Sequence, residues 1–137
     1  MAGLLTHFAI AFICALIIFL IAFKSKYKWI YSFAFFIGSL IPDLVDFGIT
    51  GLKMGSLAPL AIMKDKWFYP LARFSHNFWH WLIIAGIIIL IVFILYKLNK
   101  VSKKFVFAII IASIIFLLAI IIHLNLDFYI IEPRWWI

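Results

Sequence analysis

Apolar runs of membrane-crossing length alternate with short polar clusters along the whole chain. Leu4–Phe23 is almost unbroken Leu, Ile, Phe and Ala and ends at Lys24-Ser25-Lys26-Tyr27-Lys28. A second run starts at Trp29 and reaches Pro42-Asp43-Leu44-Val45-Asp46-Phe47. A third covers Phe78–Tyr96 and a fourth runs from Phe105 to Leu126. At a rise of about 1.5 Å per residue, runs of about 20 residues match a hydrocarbon core about 30 Å thick. The pattern predicts an all-α integral membrane protein, an antiparallel bundle of four transmembrane helices forming one domain over residues 1–137. Pro42 predicts a kink or a break. Gly48–Ala72 is the longest connection, and its Leu57–Met63 and Trp67-Phe68-Tyr69 stretches predict an interfacial loop or helix between the second and third spans. Arg134-Trp135-Trp136 reads as an aromatic anchor at the membrane surface.

Composition narrows the class. The chain is 69% hydrophobic and 12% charged, with a mean hydropathy of +1.25, which excludes an ordinary soluble domain. The net charge of +7 comes mostly from lysines in two short loops. That placement points to topology and contact with membrane lipids, and away from direct nucleic-acid binding. The lone Cys14 excludes an intrachain disulfide and any cysteine-based zinc motif, and reads as a small packing residue. The first run lacks a basic segment ahead of it and carries His7, so it reads as a retained helix and not a cleaved signal peptide.

Four antiparallel spans determine which helix ends meet. His7 opens the first span, Asp43 and Asp46 close the second, His76 and His80 precede or open the third, and His123 and Asp127 close the fourth. All seven fall at one end, opposite the lysines. They include every histidine of the chain and three of its five carboxylates. Measured from the lysine end, His7, Asp43, His80 and His123 lie roughly 22–29 Å along their helices, near the far interface of the bilayer.

Three of the elements carry these groups in one-turn pairs: Asp43 with Asp46, His76 with His80, and His123 with Asp127. Pairs three or four residues apart on a helix aim two side chains at one axis, which is how metal sites in helix bundles are built. Imidazole with carboxylate suits a divalent metal, zinc first, with manganese or iron as alternatives. Seven candidates exceed the need of one tetrahedral ion. Two ions would use them, or some orient the others. Each residue alone has a plainer reading: His7 as a hydrogen-bonded interfacial residue, Asp43 as a cap after Pro42, His123 and Asp127 as a pair. Their convergence on one end is the stronger signal. Arg73 lies one turn before His76 and suits a phosphate, or simply snorkels to the interface. Asn77 and Asn125 are donors at the edge of the cluster. Ser39 and Ser75 complete no Ser-His-Asp order.

Thr6-His7, Gly38-Ser39-Leu40-Ile41-Pro42-Asp43-Leu44-Val45-Asp46, Arg73-x-x-His76 and His123-x-x-x-Asp127 resemble the pattern of a family of small integral-membrane, metal-dependent hydrolases, also described as LexA-binding, inner membrane-associated hydrolases. The resemblance spans nearly the whole chain in order, and Gly-Ser-x-x-Pro-Asp is its most specific piece. It implies that His7, Asp43, Asp46, His76, His123 and Asp127 form the polar cluster. The chain departs from the pattern at three places. It has Asp-x-x-Asp where many members have Asp-x-Asp, Asn77 where many have Thr or Ser, and His80 where the pattern has no histidine.

The expected function is a membrane-bound, metal-dependent hydrolase acting on an ester or phosphoester of a lipid or lipid-linked substrate. His7, Asp43, Asp46, His76, His80, His123 and Asp127 are the candidate metal ligands, and Asp46, Arg73 and His80 the candidate catalytic groups. The alternative is a non-catalytic metal-binding scaffold, a pH sensor or a transport protein. The nearly pure Ile, Leu, Phe and Ala of mid-span argues against a transport path. Seven lysines in two short loops, against five basic residues at the histidine end, place the lysine end in the cytoplasm and the polar site outside the inner membrane. The expected partners are membrane lipids and a lipid-like substrate, with a homo-oligomer as the further expectation.

Overall fold

Helix follows from composition. Leu, Ile, Phe and Ala in unbroken runs bury their backbone groups within the helix itself, as a lipid environment requires. The structure, a computed structural model, describes residues 4–56 and 58–129. The Arg134-Trp135-Trp136 anchor lies outside the described residues. The order is α1 (Leu4–Ile21), α2 (Lys28–Asp43), a π-helical turn (Leu44–Gly48), α3 (Ile49–Met54), α4 (Pro59–Ile62), α5 (Phe68–Ser75), α6 (Phe78–Lys97) and α7 (Lys103–Tyr129). No strand occurs among the described residues. Among the described residues three helices are long and apolar enough to cross a membrane: Lys28–Met54, Phe78–Lys97 and Lys103–Phe128. By the same measure α1 is shorter, apolar over Thr6–Ile21.

Of the kink and the break expected at Pro42, the structure excludes the break. Pro42 lies inside α2 and does not end it. The ring has no N–H for the ladder, and the turn that follows widens to π geometry before α3 resumes, so the helix runs on. The expected long connection is therefore largely helical. It begins as α3, which buries Thr50 and Gly51 and ends at Gly55, where φ is +63°. In that left-handed conformation the amides of Gly55 and Ser56 reach back to the carbonyls of Leu52 and Gly51 and close the helix. α4 and α5 fill most of the rest.

Packing runs in the order α1, α2, α7, α6, with α2 on α7 the most extensive contact. Small residues set that contact. A Cβ at Gly38 would lie 2.6 Å from the Phe116 carbonyl oxygen and 3.0 Å from Ala119 Cβ. Ala108, Ala112 and Ala119 are buried along α7. Close backbone approach through small residues is how helices associate where lipid offers no hydrophobic drive. The large side chains point the other way: Ile83, Ile87, Leu90, Ile91 and Ile94 of α6 are exposed, as a lipid-facing surface should be.

Candidate metal centre

α2 and α7 held at glycine distance bring Asp43, His123 and Asp127 to one height, and the α5–α6 junction supplies His76. Asp127 is the hub. Its Oδ2 lies 3.1 Å from His76 Nε2 and 3.3 Å from His123 Nε2. Its Oδ1 accepts from or faces His7 Nε2 at 3.0 Å. Asp43 Oδ1 lies 3.7 Å from His123 Nε2 and 3.8 Å from His76 Nε2. One ligand atom from each of Asp43, His76, His123 and Asp127 falls within 4.8 Å of all the others. An ion with bonds of about 2.0–2.2 Å holds tetrahedral ligands about 3.3–3.6 Å apart. The four distances above, 3.1–3.8 Å, are close to that spacing, and the whole set stays within 4.8 Å.

Both imidazoles are turned for the purpose. His123 Nδ1 donates to the Ser39 carbonyl at 2.8 Å. That bond places the ring proton on Nδ1 and leaves Nε2, in the neutral ring, with its lone pair toward the carboxylates. His76 Nδ1 is surrounded by acceptors: the Ala72 carbonyl at 3.2 Å, Ser75 Oγ at 3.0 Å and Asp46 Oδ2 at 3.4 Å. Its Nε2 therefore also faces inward as an acceptor. Two lone pairs and two carboxylate oxygens repel one another unless a cation or protons lie between them.

One proton does not serve all four. Burial alone pushes the His76 pKa down, but the carboxylates of Asp127, Asp46 and Asp43 outweigh it and hold the pKa above its ordinary value. A proton on His76 Nε2 answers Asp127. It leaves Asp43 Oδ1 and His123 Nε2, which are buried and make no hydrogen bond. A buried polar atom without a partner costs about 1–3 kcal/mol, and more when charged. A divalent cation would satisfy all four at once, so the donor set, its spacing and its orphaned atoms fit a metal ion.

The remaining candidates occupy distinct places. His7, buried at α1, packs its ring tilted against that of His123, with centroids 4.2 Å apart, and braces the outer oxygen of Asp127. Asp46 is fully buried on the far side of His76, where Ser75 Oγ reaches it at 3.5 Å and the Phe47 amide donates to it at 2.6 Å. It therefore backs the His76 ring and does not share the four-residue cluster. His80 is elsewhere. The expected one-turn pairing with His76 fails because the helix is interrupted between them. His76 ends α5, Asn77 adopts an extended conformation, and its side chain accepts from the Trp79 amide to start α6. His80 then points back to the Phe74 carbonyl, with Nδ1 at 2.9 Å, and stacks on the Phe74 ring. Arg73 is exposed on α5. Asn125 is exposed too and donates to the Ile121 carbonyl of its own helix, away from the cluster.

Sequence reasoning assigned no part to the Ser39 carbonyl or to Ser75 as supports of the imidazoles. A serine at a buried position in an apolar run is the only trace either leaves. Ser75 is also tied by its own carbonyl, which accepts from Trp81 Nε1 at 2.6 Å. No protein-family model, no curated protein and no solved structure matches this chain.

Proposed function

We propose that the protein is a membrane-bound, metal-dependent hydrolase of an ester or phosphoester in a lipid-like substrate. The observation that carries the reading is the inward-facing set of Asp43, His76, His123 and Asp127, with two buried atoms that no protein group satisfies. These four would hold the metal, zinc first, with manganese or iron as alternatives. The bound ion supplies Lewis acidity, polarising the scissile group and lowering the pKa of water.

The chain's own groups then divide the work. Asp43 and His123 are almost closed to solvent, while the side chains of His76 and Asp127 are 20% and 12% exposed. Substrate approaches over that open edge. Asp46 and His7 keep His76 and Asp127 turned inward by bonding their outer atoms. Trp67, Tyr69 and Trp79 are exposed at the same end and form an aromatic band at headgroup level, with Arg73 among them to meet a phosphate. In this reading α1 is a fourth span: its 18 residues extend about 27 Å, nearly the hydrocarbon thickness. The four helices form an antiparallel bundle with α4 and α5 at the interface. The lysine end faces the cytoplasm, by the retention of positive charge there. The sequence resemblance to small integral-membrane hydrolases supports the same conclusion.

The test is metal analysis of protein purified gently without chelators, followed by turnover of phospholipids, polyprenyl phosphates and generic phosphoesters with each metal. Stoichiometric metal and hydrolysis of one class are expected. Metal-free protein overturns the reading. Metallated protein inert toward every class moves it to the scaffold alternative.

A further inference from the structure

At the opposite end of the helices, a groove of about 340 Å³ runs between α1 and α2. Phe12, Leu16 and Phe19 form one wall and Trp29, Phe33 and Phe36 the other. Ala15 and Ser32 also line it, and the Ser32 hydroxyl is occupied, donating to the Ala15 carbonyl at 2.7 Å. The lining thus offers hydrocarbon and aromatic surface only. Phe12, Leu16, Trp29 and Phe33 are exposed. Seven residues separate Phe12 from Phe19, and likewise Trp29 from Phe36, so each wall is about 10 Å long. The Phe8–Phe36 edge contact, with centroids 5.6 Å apart, lies between the groove and the histidine cluster.

The mouth of the groove is cationic. Phe19 and Trp29 meet there with centroids 4.5 Å apart, and Lys28 Nζ sits 4.9 Å above the Phe19 ring and 6.0 Å from that of Phe23. Lys24 and Lys26 are exposed beside it. The Tyr27–Phe105 contact joins this loop to the base of α7, where Lys103 and Lys104 are exposed. All five carboxylates of the chain lie in other segments, at 43, 46, 65, 127 and 132. Among the described residues no carboxylate forms an ion pair with these lysines.

We propose that the groove is a binding site for one anionic phospholipid, its acyl chain between α1 and α2 and its phosphate on Lys28, Lys24 and Lys26. Charge complementarity selects the occupant. A second protein helix would cover the apolar walls but leave the cations unanswered. A zwitterionic lipid would fill the groove and offer no net charge. The site is independent of the metal centre and of the reaction proposed there.

Native mass spectrometry of the full chain, released from bilayer discs holding equal phosphatidylglycerol and phosphatidylcholine of matched acyl chains, tests it. Wild type should retain phosphatidylglycerol about tenfold over phosphatidylcholine, since each lysine near an anionic surface contributes to attraction. K24Q/K26Q/K28Q should retain both lipids about equally. Leu16→Trp, which adds bulk from the exposed wall, should lower retention of both. Phosphatidylglycerol carrying a photoreactive group at mid-chain should label α1 and α2 in unmodified protein, more than the equally lipid-exposed α6. Equal retention of the two lipids by wild type overturns the proposal, as does labelling spread evenly over α6. Displacement by glycerol phosphate alone would also overturn it, because the lysines would then be binding a headgroup without the groove.

Discussion

The two ends of the helices hold charge in opposite ways. At the histidine end, carboxylates and imidazoles are buried and turned toward one another, and the helices are pinned by a glycine contact about one to two turns away. At the lysine end, cations lie outward over aromatic rings: Lys26 over Tyr27, Lys28 over Phe19, Lys97 over Phe93, Lys103 over Phe107. Buried charge demands a partner inside the protein or an ion between its members, so each group there depends on the others. Exposed charge on a long stem finds its partner in the surroundings, and each lysine can be changed with little consequence for the rest. One end is a site because it is costly to leave unsatisfied. The other finds its counter-charge outside the chain.

Removing a member of the buried set should break that contrast most severely. Asp43→Ala or His123→Ala should abolish stoichiometric metal and destabilise the protein by about 3–5 kcal/mol, because the partners left behind remain buried. Metal content and a thermal melt in detergent measure both. Retention of metal by either variant would show that the four residues do not act together.

Gly38→Ala should come next, at about 1–3 kcal/mol, since its Cβ would meet the Phe116 backbone oxygen at 2.6 Å and α2 must shift on α7. The shift moves the Ser39 carbonyl from His123 Nδ1, so metal affinity should fall although no ligand has changed. Gly86→Ala, with nothing within 4 Å of its Cβ, is the control and should leave metal affinity alone while gaining up to about 1 kcal/mol from helix propensity. Equal effects at the two glycines would remove the helix contact from the account.

Acidity sharpens the comparison further. With its pKa raised, His76 contributes stability to the metal-free protein that is fully present below about pH 6.5 and is lost as pH rises through the raised value. Metal requires the same ring deprotonated, so its affinity moves the other way. The melting temperature should therefore fall between about pH 6 and pH 8 without metal and rise with it. Parallel curves would mean that His76 is not a ligand.

The smallest effects belong to the exposed groups. His80→Ala should keep the metal and shift stability by less than about 1 kcal/mol, because it loses only a bond to the Phe74 carbonyl and a stacking contact. Neutralising Lys97 and Lys100 should change stability by no more than about 0.5 kcal/mol and leave metal binding untouched. A melt and a metal titration check both, and metal loss in His80→Ala would return that residue to the site.

Some of this was legible along the chain. Unbroken apolar runs dictate helices whatever surrounds them, because the backbone must be satisfied within each segment. The alternation of those runs with polar clusters placed all four histidines with Asp43, Asp46 and Asp127 at one end before any contact was known. His123 and Asp127 share one regular helix, so their four-residue spacing translated directly into 3.3 Å. Tertiary structure decided what spacing could not. The His76–His80 spacing is the same, yet an extended Asn77 between two helices sends the rings apart. Pro42 read as a kink or a break, but a π turn follows it and the helix continues. Asp46 left the ligand set for the back of His76. Local pattern sets the secondary structure and the end at which a group emerges. Which atoms face one ion depends on how closely two helices approach, and here that is governed by Gly38 against the backbone of another helix, 78 positions further along the chain at Phe116.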